Sequence, residues 1–129
     1  MDFSDYNLDF DVEDFLEKSQ EKQRERLEQE LERIEDQLEE RSQIHRDAIN
    51  ELESKRDWYI DRLETLYQRG VGKQGKREKL KTRIEELYTA IRTEKRSHWQ
   101  DRQELENKKR EALKEMEELK SLERFENVL

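Results

Sequence analysis

All three glycines of the chain, Gly70, Gly72 and Gly75, fall within six residues of one another, and no proline occurs at any of the 129 positions. Proline is the residue that most strongly breaks a helix, and interior glycine is the next most costly. A helix therefore meets no obstacle on either side of residues 70–75, and the chain has one natural place to turn.

The residues available suit such helices. Charged side chains make up 48% of the chain and hydrophobic ones 30%, against about 25% and 45–50% in ordinary globular domains. An ordinary compact core is not expected. The 27 basic residues nearly offset the 35 acidic ones, so the strongly one-signed charge that accompanies low hydrophobicity in disordered chains is absent. Glu, Lys, Arg, Leu and Gln dominate, and all favour helix.

Apolar periodicity decides between helix and coil. Leu16, Leu27, Leu38, Ile49 and Ile60 recur every eleven residues, with Leu31, Ile34, His45, Ala48, Leu52, Tyr59, Leu63 and Leu66 filling the turns between. Eleven residues close about three helical turns, so the stripe stays on one face of a nearly straight helix. Beyond the glycines the interval becomes seven, through Ile84, Ile91, His98, Leu105, Ala112 and Leu119, with Leu80, Leu87 and Met116 beside them. This is a heptad pattern. Its middle is poor, because Glu94, Lys95, Asp101 and Arg102 stand where apolar groups are wanted.

The expected organisation is an acidic aromatic tail over 1–11, a helical arm over 12–69, a glycine-rich basic turn over 70–75 and a second arm over 76–129. Asp11 has the chemistry of an N-cap, followed by Glu13 and Asp14 at the positive end of the dipole, and Phe10 with Phe15 has the spacing of a hydrophobic staple. Folding about residue 73 pairs positions whose numbers total about 146. Leu27 then faces Leu119, Leu31 faces Met116, Ile34 faces Ala112, Tyr59 faces Leu87, Leu63 faces Ile84, Leu66 or Tyr67 faces Leu80, and Leu16 faces Leu129. Three glycines inside one continuous helix would cost about 3 kcal/mol. The fold expected is all-α, a long antiparallel two-helix coiled-coil hairpin with arms of about 80 Å. Ile44, Trp58, Trp99 and Phe125 are left off the seam, and as candidate oligomer contacts Trp58, Trp99 and Phe125 predict a homodimer of hairpins in a four-helix arrangement.

Several kinds of site can be weighed from residue types alone. Gly70 to Lys76 match G-x-x-x-x-G-K, but Arg77 replaces the hydroxyl residue of a phosphate-binding loop, and a helix rather than a strand precedes it. A turn explains the glycines. Around that turn seven basic residues from Arg69 to Arg83 face the single acid Glu78. Arg69, Lys73, Lys76, Arg77 and Lys79 form a candidate basic tip, either solvated or directed at an anionic partner. No aromatic is expected there to stack on a base. In the tail, Phe3, Tyr6, Leu8 and Phe10 alternate with aspartates, and the segment reads either as a disordered solvent-facing terminus or as a docking peptide whose aspartates keep its free form soluble. His45 and His98 fall near one another on the folded seam, where a metal pair, a pH switch or a polar register notch are the readings, the last being the commonest in coiled coils.

No cysteine is present, which excludes disulfides and thiol chemistry. The longest apolar run, Trp58-Tyr59-Ile60, is far below the roughly 20 residues of a membrane span. The expected function is that of a cytoplasmic, non-enzymatic interaction or scaffold protein, without cofactor or metal. It would bind itself and at least one protein through its seam, acidic tail and basic tip, and no membrane. The alternatives are a nucleic-acid-associated protein using the tip and an acidic nucleic-acid mimic that inhibits a DNA-binding protein.

Overall fold

The computed structural model describes residues 11–70 and 74–128. Helix α1 spans Val12–Arg69 and helix α2 spans Gln74–Val128, so that only Asp11 and Gly70 of the described residues lie outside a helix. The two helices pack against each other as a hairpin. Phe10, Lys73, Gly72 and Leu129, along with the rest of the acidic tail, lie outside the described residues.

The start of α1 follows from Asp11. Its carboxylate Oδ1 accepts from the amides of Glu13 (3.0 Å) and Asp14 (3.3 Å), and its carbonyl accepts from the amide of Phe15 (3.0 Å). Two of the otherwise unpaired first-turn donors are satisfied by the cap, and the carbonyl accepts the first intrahelical bond. At the other end Gly70 adopts φ 62°, and its amide donates to the carbonyl of Tyr67 (3.3 Å). Glycine enters that left-handed conformation without the Cβ penalty other residues meet. Gly75 differs from expectation, since it lies inside α2, which starts at Gln74. Backbone amides in a first turn have no intrahelical partner to lose, so glycine can sit there without ending the helix.

Two compact units divide the chain. One joins α1 up to Asp36 with α2 from Glu106, and the other holds Gln37–Leu105. In the first, Leu27, Ile34, Ala112 and Leu119 are buried, and Arg24 pairs with Glu123 and Glu35 with Lys109 across the helices. In the second, Leu87, Ile91 and Leu105 are buried, and Arg41 pairs with Asp101. Partner numbers rise along α1 as they fall along α2, which makes the pairing antiparallel in both units. The totals run from 139 for His45 with Glu94 and 142 for Arg41 with Asp101 to 147 for Arg24 with Glu123, near the expected 146.

The predicted stripes turn inward almost throughout. From Leu27 to Leu66 and from Leu80 to Leu119 every named stripe residue is buried or half-buried. Leu16 is 44% exposed, and its expected partner Leu129 is outside the described residues.

Candidate functional site

Two places on the Gln37–Leu105 unit carry chemistry beyond packing. The first lies where the heptad is poor. The His45 and His98 rings stack with centroids 4.0 Å apart and 8° between their planes. His45 Nδ1 lies 3.1 Å from Glu94 Oε1, and Arg41 Nη1 donates to Asp101 Oδ2 at 2.5 Å. Glu94 and Asp101 occupy apolar heptad positions, three residues beyond Ile91 and His98, and α1 answers each with a base. An open depression of about 300 Å³ borders this notch, with Gln37, Ile44 and Ser97 among its lining.

Burial lowers the pKa of His98, and His45 and Arg102 add to the effect while Glu94 and Asp101 oppose it. A charged His98 would lose hydration in the partly desolvated seam and meet the positive charge of Arg102. Among the described residues no group of three or more His, Cys, Asp or Glu is placed to hold a metal ion. The arrangement specifies register: slipping the helices by one turn would part Arg41 from Asp101 and His45 from Glu94 together.

The second place is a groove of about 770 Å³ beside the turn. From α1 it takes Trp58, Arg62, Leu66 and Arg69, and from α2 Lys76, Lys79 and Leu80. The α1 spacings are those of one helical face. Trp58 is 51% exposed, and the Arg62 guanidinium lies 4.3 Å from its ring centroid. Asp61 is the acid in the lining. Arg69, Lys76 and Lys79 make no ion pair with a described residue, in contrast to Lys81 with Glu78 (3.8 Å) and Arg83 with Glu86 (3.0 Å).

A family model matches residues 1–129. The chain belongs to DUF8104, a family of unknown function. No curated protein and no solved structure matches it.

In this DUF8104 chain the predicted site residues are distributed unevenly. Trp58, Arg69, Lys76 and Lys79 come together in the groove. The expectation that no aromatic lies in the tip to stack on a base is qualified: Trp58, about three turns before Arg69 on α1, lines the same groove as Arg69, Lys76 and Lys79. Arg77 behaves differently from its neighbours. Its guanidinium lies 4.6 Å from the Tyr67 ring centroid, it is half-buried, and its Nε has no hydrogen-bond partner. Arg77 packs the closing end of the hairpin, while Lys76 and Lys79 face outward. Trp99 and Phe125 are each 62% exposed, one in each unit. Phe3, Tyr6, Leu8, Phe10 and Lys73 are outside the described residues.

Arg62 is the functional candidate that sequence reasoning missed. The signal was present, since Trp58, Arg62, Thr65 and Arg69 are separated by four, three and four residues, but the tryptophan and the turn cations were treated as separate features.

Proposed function

We propose that this DUF8104 protein is a non-enzymatic coiled-coil interaction or scaffold module that pairs with a second copy of itself and binds other proteins through groups its own hairpin leaves uncovered. One observation supports the reading above others: with the seam already supplied by the inward stripes, Ile44, Trp58, Trp99 and Phe125 remain between 51% and 62% exposed. Single exposed aromatics are ordinary. Three large aromatics together with Ile44, on a chain only 30% hydrophobic, commit much of its scarce apolar surface to solvent, and covering them in a four-helix arrangement recovers it. A cytoplasmic location belongs to the same reading. Among the described residues no helix is long and apolar enough to cross a membrane.

Sedimentation equilibrium of the full chain tests it. The expected result is a mass near twice 16.0 kDa that falls toward monomer when Ile44 and Trp99 are both replaced by Glu. A wild-type chain that stays monomeric at every concentration would overturn the self-pairing.

A second reading, association with nucleic acid, draws on the same groove, because exposed Trp58 beside Arg69, Lys76 and Lys79 offers a ring and cations together. It predicts binding to single-stranded oligonucleotides that weakens steeply with salt. The net charge of −8 opposes it.

A further inference from the structure

The groove beside Trp58 and the segment 1–10 have complementary chemistry. The groove has an apolar floor, Leu66 and Leu80, an exposed indole, and on its rim the cations Arg69, Lys76 and Lys79, which make no ion pair with a described residue. The segment, MDFSDYNLDF, carries four large apolar side chains spaced by Asp2, Asp5 and Asp9 and has no basic residue. The cations at the start of α2 oppose the helix dipole, and the segment holds no basic residue to answer its three aspartates.

We infer that the groove receives residues 1–10 of a second copy of this chain, with an aromatic of the segment against Trp58 and its aspartates on Arg69, Lys76 and Lys79. The inference rests on the self-association proposed above and names the contact that orients it. Ten extended residues span at most about 35 Å, whereas α1 runs from Val12 through 45 further residues before it reaches Trp58, so the contact forms between copies. Two copies that exchange segments reciprocally satisfy both grooves and close the assembly at two. Opposite charge speeds and orients the encounter, and apolar contact with the indole slows its dissociation.

Nucleic acid fits the groove less well. Arg62 already covers one face of the Trp58 ring, and Asp61 stands in the lining. A segment of the same chain is present at one copy per groove, whatever else the solution holds.

A charge exchange in full-length protein tests the inference. One variant carries Lys76→Glu and Lys79→Glu, the other Asp5→Lys and Asp9→Lys. Lys76 lies in the first turn of α2, where an acid favours the helix dipole, and Lys79 is exposed in the second, so the first variant is expected to remain folded, with helical circular dichroism as the control. Each variant alone is expected to associate at least about tenfold more weakly than wild type, and an equimolar mixture is expected to return to within about threefold, because the mixture restores both opposite-charge contacts. Trp58→Ala is expected to weaken association about tenfold without any such rescue. If wild type associates and the two charge variants associate equally well, the segment-to-groove contact is wrong while the self-pairing stands. If wild type is monomeric, both fall. Oligothymidylate binding that is lost in the Lys76→Glu, Lys79→Glu variant, together with unchanged association of the Asp5→Lys, Asp9→Lys variant, would assign the groove to nucleic acid and overturn the inference.

Discussion

The unit built from the outer parts of α1 and α2 and the unit of residues 37–105 solve the same packing problem with different materials. The first buries Leu27, Ile34, Ala112 and Leu119. The second buries Leu87, Ile91 and Leu105 but interrupts them with the stacked pair His45 and His98 and the acids Glu94 and Asp101. Aliphatic burial is strong and non-directional, so it stabilises several registers of a heptad nearly equally. Directional pairs contribute less free energy but reject a slipped partner. The comparison separates the part of the seam that supplies stability from the part that specifies alignment.

The largest effect expected is at Leu27, only 1% exposed. Leu27→Ala should cost about 2–5 kcal/mol, from lost transfer free energy and the cavity left behind. Ile49→Ala, at a half-buried stripe position of the other unit, should cost less because water and neighbours already share its surroundings. Urea unfolding of both variants checks the ranking, and equal losses would show that depth of burial along the stripe does not set the cost.

His98 is the next place to probe. No hydrogen bond joins its ring to another described residue, so His98→Leu removes a desolvated imidazole without orphaning a partner. The substitution should raise stability at neutral pH by about 1 kcal/mol through added apolar burial. The pH dependence follows from the lowered pKa, caused first by burial and then by the charges of His45 and Arg102. Between the folded pKa and the unfolded value of about 6.5, the unfolded chain binds more protons, so stability is full above about 6.5 and declines as pH falls through it. Thermal melts from neutral to mildly acidic pH should show that decline in wild type and a smaller one in His98→Leu. A wild-type profile no steeper than the variant's would remove His98 as the cause.

These two units were not equally legible in the sequence. The inward stripes could be read because helical periodicity and burial are two expressions of one geometry, and the fold-back register followed once both stripes were known. Glu94 and Asp101 read as faults in the heptad. They are half-buried acids met by His45 and Arg41, and a heptad assignment marks which positions face the seam without saying which long side chain reaches across. Gly75 was placed in the turn because glycine marks helix boundaries, but the first helical turn tolerates it. The groove was hidden for a different reason: Trp58 and Lys76 are distant in sequence and line one groove only because the two helices fold back on each other.

The smallest effects concern the cross-helix ion pairs, one from each unit. Arg24 with Glu123 and Arg41 with Asp101 are both partly exposed, with side chains 41% and 26% accessible in the first and 54% and 38% in the second. Exposed pairs typically contribute about 0.2–1 kcal/mol. Double-mutant cycles with Arg24→Gln and Glu123→Gln, and with Arg41→Gln and Asp101→Asn, should return coupling energies in that range, with the less accessible Arg24–Glu123 pair the stronger. Salt should diminish the Arg41–Asp101 coupling more, since solvent ions screen it more fully. That order would separate strength from specificity: the weaker pair belongs to the unit in which His45, Glu94, His98 and Asp101 act together, where alignment depends on several modest contacts failing at once. A larger coupling at Arg41–Asp101, insensitive to salt, would mean instead that the polar notch stabilises the hairpin outright.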